Sequence, residues 1–216
     1  MSKTIRHYTD DKIDISYDAG RCIHAAECVH GLPVVFDTAR RPWILPNAAN
    51  SDAIAAVITK CPTGALHYTR RDGAAETPSE EATIVPMSDG PLYVRGCVQL
   101  RSADGKVIIE DMRMALCRCG QSNNKPFCDN SHRSSNFKDS GDVANGSFVD
   151  KTETNHVLLI TTSANGPLQL DGQFVLRSTR GVGQWDGTQA ELCRCGGSHN
   201  KPFCDGTHEE IGFRSE

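Results

Sequence analysis

The sequence lacks the features that mark several large classes of protein. No stretch of about 18 apolar residues is present, so no segment is expected to span a bilayer as a helix. The residues after Met1 contain no apolar run of the signal-peptide kind, which favours a cytoplasmic location. Lys and Arg are not clustered and the net charge is −4, which argues against a nucleic-acid-binding surface. We therefore expect neither a membrane nor a nucleic acid as a partner.

Signatures of catalysis are also missing. The sequence has no glycine-rich phosphate loop, no nucleotide fingerprint and no nucleophile with an identifiable base, so we expect that the protein is not an enzyme. Aromatic residues make up only 6% of the 216 residues, whereas there are 19 glycines and 10 prolines. This composition indicates short strands and many turns in several small domains, and small domains usually need additional stabilisation.

Cysteine is the residue type that stands out, with ten copies. Because thiols stay reduced in a cytoplasm, these cysteines are expected to bind metal rather than to form disulfides. Four potential ligands recur after 76 positions without insertion or deletion, and the surrounding segments, residues 90–132 and 166–208, are roughly half identical. A whole module is therefore duplicated. The first set is Cys117, Cys119, Cys128 and His132, and the second is Cys193, Cys195, Cys204 and His208.

Each set offers three thiolates and one imidazole, a complete set of four ligands. Zinc accepts such ligands, but the two cysteines of a zinc pair are usually separated by about two to four residues rather than by one. A 2Fe-2S cluster needs two ligands on each of two irons. Cys117 with Cys119, and Cys128 with His132, would supply them. The spacing therefore favours iron and sulfide over zinc.

The repeated motif resembles that of the CDGSH iron-sulfur family, the mitoNEET-like proteins. The family pattern Cys-x-Cys-x-x-Ser/Thr-x-x-x-Pro-x-Cys-Asp-Gly-Ser/Ala/Thr-His is met at every position by residues 193–208. The first copy departs only at Asn130, which stands in the place of the glycine; asparagine also tolerates a left-handed backbone, so we expect the turn to survive.

The resemblance implies one 2Fe-2S cluster per motif. It places the closely spaced cysteines on an inner iron and the third cysteine with the histidine on an outer iron near solvent. Family members with one motif form dimers, so two motifs in one chain imply a monomer with an internal pseudo-dimer. Replacing one thiolate by neutral imidazole changes the formal charge of the oxidised centre from about −2 to about −1, which predicts a reduction potential above that of plant-type ferredoxins.

Residues before the repeat form a different candidate site, with Cys22, Cys28 and Cys61. The segments Cys-Ile-His-Ala-Ala-Glu-Cys and Cys-Pro-Thr-Gly-Ala-Leu resemble those of divergent single-cluster ferredoxins, with Ala25 where a bacterial ferredoxin has its second cysteine. Three thiolates suit a 3Fe-4S cluster. The alternatives are a 4Fe-4S cluster completed by His24, His30 or water, and a fold that holds no cluster. The tenth cysteine, Cys97, aligns with a glutamine in the repeat and is interpreted as a strand residue that binds no metal.

The predicted fold class is α+β. We expect a small ferredoxin-like α+β domain over residues 1–75, with a helix capped by Ser51, followed by two β-rich CDGSH modules over residues 76–150 and 151–216 that form an intramolecular pseudo-dimer. The predicted function is one-electron transfer between redox proteins. The alternatives are storage of clusters and their transfer to apo iron-sulfur acceptors, or sensing of iron or redox state.

Overall fold

The structure, a computed structural model, describes residues 5–150 and 157–215. It divides the chain into two compact units, Met1–Thr77 and Pro78–Glu216. Each unit has its own sheet and its own hydrophobic core. Within the described residues, no helix has both the length and the apolar character that a bilayer crossing needs.

The first unit is a three-stranded antiparallel sheet with two short helices. The elements are β1 (Arg6–Thr9), β2 (Ile13–Tyr17), α1 (Glu27–Gly31), α2 (Ser51–Ile58) and β3 (Leu66–Arg70). Strand β2 lies in the middle of the sheet, between β1 and β3. Its alternating sequence buries Ile13 and Ile15 completely, and Ile54 and Ile58 of α2 belong to the same core. Every second side chain of β2 and the apolar side of α2 therefore form one core.

Helix α2 is capped one residue earlier than the sequence predicts. Its N-cap is Asn50, whose side chain accepts a hydrogen bond from the amide of Ala53 at 2.8 Å, and Ser51 is the first helical residue. Asparagine and serine are about equally good N-caps, so propensity could not decide between the two neighbours. Only Asn50 has the extended backbone, with φ −75° and ψ 155°, that lets a capping side chain reach back to the first turn.

The second unit is a single seven-stranded sheet to which both repeats contribute. Its elements are β4 (Thr83–Pro86), β5 (Leu92–Arg101), β6 (Val107–Leu116), β7 (Gly146–Phe148), β8 (Leu158–Thr162), β9 (Leu168–Arg177), β10 (Gln184–Leu192) and α3 (Thr207–Glu210), together with a short 3₁₀ helix at Ser131–Arg133. In each repeat, three strands lead into the cysteine motif, and the short helix follows the third cysteine.

The two repeats exchange their first strands. Strand β4 pairs antiparallel with β5 of its own repeat and parallel with β9 of the other, while β8 pairs antiparallel with β9 and parallel with β5. These four strands therefore close a ring. The parallel pairs are related by the same shift of 76 residues as the motifs: Thr83 with Val175 and Ile84 with Leu176 in one contact, Leu159 with Gln99 and Ile160 with Leu100 in the other.

One hydrophobic core serves both repeats. Its fully buried members come from strands of each repeat, namely Ile84, Leu92, Leu100, Met114 and Leu116 from the first and Leu158, Leu168, Leu176 and Leu192 from the second. Because the strands of one repeat complete the core of the other, neither repeat covers its apolar face alone.

The chain as a whole is mostly β, with few and short helices. The more detailed expectations, an α+β ferredoxin-like arrangement and a pseudo-dimer, remain predictions at this point, as do the three domain ranges. The predicted boundary between residues 150 and 151 adjoins residues 151–156, which lie outside the described part of the chain.

Candidate metal centres

Each cysteine motif is a loop that folds back onto the end of the strand before it. In the first copy, the amide of Cys117 donates to the carbonyl of Pro126 at 2.9 Å, and the amide of Cys128 donates to the carbonyl of Ala115 at 2.9 Å. The second copy repeats both bonds, from Cys193 to Pro202 at 2.9 Å and from Cys204 to Glu191 at 2.8 Å. This local pairing brings the third cysteine back beside the first.

The four ligands of each motif lie in two close pairs. The sulfur atoms of Cys117 and Cys119 are 3.7 Å apart, and Cys128 Sγ is 3.4 Å from His132 Nδ1. Two thiolates bound to one tetrahedral metal at about 2.3 Å would lie about 3.7 Å apart, and a thiolate and an imidazole nitrogen about 3.5 Å apart. Each pair is therefore already spaced to hold one metal ion.

The second motif has the same two pairs. The sulfur atoms of Cys193 and Cys195 are 3.7 Å apart, and Cys204 Sγ is 3.3 Å from His208 Nδ1. Among residues 5–150 and 157–215, no three His, Cys, Asp or Glu side chains are grouped so that they could hold a single metal ion. The predicted ligands are thus brought together as pairs within each motif.

Burial disfavours the thiolate form of several cysteines of the motifs, although the hydrogen bond with Cys119 lowers the pKa of Cys117 to about 6. Burial raises the pKa of Cys128 to about 11, and the nearby Cys117 adds to the shift. Burial also raises the pKa of Cys193 and of Cys204. Desolvation lowers the pKa of His132, which favours the neutral imidazole that metals bind. A cationic centre is what would allow three such thiols to ionise together.

Arginine between the first two cysteines fixes the loop, a role that the sequence interpretation overlooked. Arg118 is buried and its Nε donates to the carbonyl of Gly90 at 2.8 Å, and Arg194 makes the same bond to Gly166 at 3.1 Å. Each guanidinium also lies over an aromatic ring of its own repeat, at 5.1 Å and 5.5 Å respectively. The rings belong to Phe137 and Phe213. The sequence did carry a signal for this role, because arginine stands between the first two cysteines in both repeats.

The aspartate after each third cysteine holds the turn that carries the histidine. The carboxylate of Asp129 accepts hydrogen bonds from the amides of Asn123 at 2.8 Å and Ser131 at 2.9 Å. Asp205 accepts the equivalent bonds from His199 and Thr207. Burial alone would raise the pKa of Asp129, but the hydrogen bonds from Ser131 outweigh it and the pKa falls below its ordinary value.

The substitution of asparagine for glycine in the first motif preserves the backbone. Asn130 has φ 73° and the aligned Gly206 has φ 89°, so both are left-handed, as predicted. The expectation that both outer ligand pairs lie near solvent is wrong for the first motif, because Cys128 and His132 are buried. In the second motif Cys204 is half-buried.

The two motifs meet through the residues that follow their second cysteines. A methyl carbon added to Gly196 would lie 2.7 Å from the carbonyl oxygen of Cys119, and one added to Gly120 would clash with the carbonyl oxygen of Cys195. Both glycines have positive φ, 77° at Gly120 and 84° at Gly196. Only glycine combines this backbone with so close an approach. The inner halves of the two sites are therefore in direct backbone contact.

The three cysteines of the first unit line one cavity of about 380 Å³. Burial raises the pKa of Cys28 to about 11, and the neighbouring Cys61 and Cys22 raise it further. Burial and a hydrogen bond with Cys22 hold the pKa of Tyr17 far above its ordinary value. The cavity therefore brings together the three thiols that the sequence singles out, in surroundings that need a compensating positive charge.

The other candidate ligands of the first unit are placed differently from one another. His24 lines the cavity, is exposed, has φ 55° and lies outside the helices. His30 lies exposed in the last turn of α1 and is not part of the cavity lining. Cys97 is an exposed residue of β5, as the strand prediction required.

Comparison with known proteins matches both parts of the chain. The family described as "Divergent 4Fe-4S mono-cluster" matches residues 8–71, and the family "Iron-binding zinc finger CDGSH type" matches residues 89–133 and 165–209. The "Uncharacterized protein YjdI" of Escherichia coli K12 is 40% identical over 63 residues, which covers 29% of this chain and 83% of that protein; YjdI of Escherichia coli O157:H7 gives the same values. No solved structure matches the chain.

The matched ranges contain all the paired ligands and all three cavity cysteines. The chain belongs to the CDGSH iron-sulfur family, with two CDGSH modules that follow a divergent 4Fe-4S mono-cluster domain.

Proposed function

We propose that the protein transfers single electrons and carries three iron-sulfur clusters. Two are 2Fe-2S clusters, each bound by three cysteines and one histidine of a CDGSH motif. The third is a 3Fe-4S or 4Fe-4S cluster bound by Cys22, Cys28 and Cys61. The observation that carries this function is the backbone contact between Cys119–Gly120 and Cys195–Gly196, because it joins two redox sites through a few covalent bonds and one van der Waals contact.

The arrangement of the ligands supports 2Fe-2S clusters rather than zinc. A structural zinc site needs four ligands around one ion, yet no three candidate ligands are grouped in that way in the described residues. Two pairs per motif instead supply two ligands to each of two irons. Cys117 with Cys119 would bind one iron, and Cys128 with His132 the other; the second motif would use the aligned residues.

The first unit supports a third cluster through its cavity and its three thiols. Ala25 also lines that cavity, so the position of the missing cysteine faces the site but offers no ligand. A 3Fe-4S cluster would need no fourth ligand. A 4Fe-4S cluster would use His24, which lines the cavity, or water, in preference to His30, which does not.

Iron-sulfur clusters supply one-electron redox chemistry at potentials that hydrogen bonds and burial adjust. The chain contributes amides that donate to the ligand sulfurs, from Asn130 to Cys128 at 3.4 Å and from Gly197 to Cys195 at 3.3 Å. Such bonds stabilise added negative charge and so favour reduction. The buried Arg118 brings positive charge close to the first motif.

The reciprocal strand exchange supports a monomer in which the two modules form a pseudo-dimer. We propose redox proteins as partners. We also propose that the protein converts no substrate, since the residues of its candidate sites are all assigned as cluster ligands. Ten free cysteines support a reducing compartment, and we propose the cytoplasm.

The test is a single-turnover reduction of the anaerobically purified full chain. Dithionite reduces the protein, an oxidised one-electron dye is added, and visible absorption is followed. We expect the dye to be reduced by at least two electrons per chain and the absorption of the oxidised clusters to return completely. Electron delivery accompanied by permanent bleaching would contradict a carrier role, because a carrier must retain its clusters.

Cluster delivery is a second candidate function, favoured by the half-buried Cys204 and the partly exposed imidazole of His208. Incubation with an apo-ferredoxin distinguishes the two functions. Movement of the chromophore to the acceptor would support delivery, whereas retention of the clusters over hours would support electron transfer.

A further inference from the structure

The two CDGSH motifs bury their inner ligands to the same extent. Cys117 and Cys119 are 1% and 7% exposed, and Cys193 and Cys195 are 3% and 8% exposed. Cys119 and Cys195 also lie at the contact between the motifs. The inner ligands are therefore equally inaccessible to solvent or to a partner in the two modules.

The outer ligands are not equivalent. Cys128 and His132 are both buried, whereas Cys204 and His208 are both half-buried. In both motifs Nδ1 faces the cysteine sulfur, so Nε2 is the ring atom that points away from the ligand pair. The outer ligand pair of the second motif is therefore the more accessible of the two.

The neighbours of the outer ligands also differ between the repeats. Position 87 is methionine, whereas the aligned position 163 is serine, although their carbonyls accept the same bond from Arg118 and Arg194. A methyl carbon added to Gly166 would lie 3.0 Å from Ser163 Cβ and 3.6 Å from His208 Nε2. Ser163 and the Nε2 edge of His208 therefore both border the small space next to Gly166.

Side-chain size at this position matches the difference in burial. Serine is shorter than the flexible thioether of methionine, so Ser163 fills less of the space beside Gly166 than Met87 can fill beside Gly90. The residue after the histidine differs as well: Arg133 in the first motif, and in the second Glu209, whose exposed carboxylate is 3.9 Å from His208 Nε2.

We infer that the two CDGSH modules are functionally unequal. The second module is the exchange site, where a partner or acceptor gains access through the outer ligands Cys204 and His208. The first module holds an enclosed centre that communicates with the outside through the contact between the motifs. This inference rests on the proposed function, because it needs a 2Fe-2S cluster in each motif. Buried outer ligands become accessible only when the structure opens locally, which slows access.

The test follows the loss of visible absorption after a large excess of the iron chelator EDTA is added. The protein is the full chain with the three cysteines of the first unit changed to serine, so that only the CDGSH motifs contribute. We expect two phases of equal amplitude that differ in rate by about tenfold, which corresponds to about 1.4 kcal/mol in the free energy of opening. The double variant Cys193→Ser/Cys195→Ser should lose the fast phase, and Cys117→Ser/Cys119→Ser the slow phase.

Exchange of the residues at positions 87 and 163 tests whether their side chains cause the difference in rate. Ser163→Met should slow the fast phase, and Met87→Ser should accelerate the slow phase, while both variants keep about four irons per chain. Where a double variant does not fold, diethyl pyrocarbonate labelling of the unaltered protein gives the same information: His208 should react about tenfold faster than His132. A single rate for both clusters, or a faster first module, would overturn the inference while leaving the clusters established. Absence of labile sulfide would overturn the proposed function itself.

Discussion

Arg118 is predicted to be the residue of the CDGSH loops whose loss destabilises the second unit most. Its side chain is only 2% exposed, pairs with Asp139, and donates to the carbonyls of Gly90 and Met87. Arg118→Ala would leave these acceptors unsatisfied and would break a buried ion pair, a change that usually lowers the free energy of unfolding by about 3–5 kcal/mol. Arg194 makes the two aligned carbonyl bonds, and Arg194→Ala should lower the free energy of unfolding by about 1–3 kcal/mol through their loss.

Urea unfolding of the full chain measures both changes. Tryptophan fluorescence reports on the second unit in a Trp43→Phe background, because Trp185 packs against Phe174 and Phe203 in its core at ring distances of 5.8 Å and 5.3 Å. Lys106→Ala, at an exposed ion pair, is the control and should change stability by less than about 0.5 kcal/mol. Equal stabilities of the Arg118→Ala and Lys106→Ala proteins would refute the assignment of a structural role to the buried guanidinium.

Three further predictions concern individual positions. Gly120→Ala should destabilise the second unit by about 1–3 kcal/mol more than Gly105→Ala in the same urea assay, because both residues have positive φ but only Gly120 contacts another backbone. Asn130→Val should lower the unfolding free energy by about 1–2 kcal/mol and Asn130→Gly should leave it nearly unchanged, since valine disfavours a left-handed backbone. Serine at all three cysteines of the first unit should remove about three or four irons per chain in a metal assay, while Cys97→Ser should remove none.

The local parts of the sites could be predicted from the sequence, because ligand spacing within one loop is a local property. The pairing of Cys117 with Cys119 follows from a single intervening residue, and the left-handed turn at Asn130 follows from the chemistry of asparagine. Capping by Asn50 rather than Ser51 was missed because adjacent residues of equal propensity differ only in backbone conformation.

Contacts between residues that are distant in sequence could not be predicted from the repeated motif. Duplication indicates two similar modules, yet it does not say that β4 pairs with β9 of the other repeat as well as with β5 of its own, because strand partners depend on closure of the whole sheet. The approach of Gly120 to Cys195, 75 positions later, is likewise a contact between residues distant in sequence. The unequal burial of Cys128 and Cys204 is not visible in the sequence either, because the two motifs have the same ligand spacing.

The nature of the bound metal is the central claim, and elemental analysis of freshly purified protein tests it most directly. Two 2Fe-2S clusters and one larger cluster predict about seven or eight irons and about eight labile sulfides per chain, with little zinc. About two zinc ions per chain and no labile sulfide would contradict the account, because each CDGSH motif would then be a mononuclear zinc site.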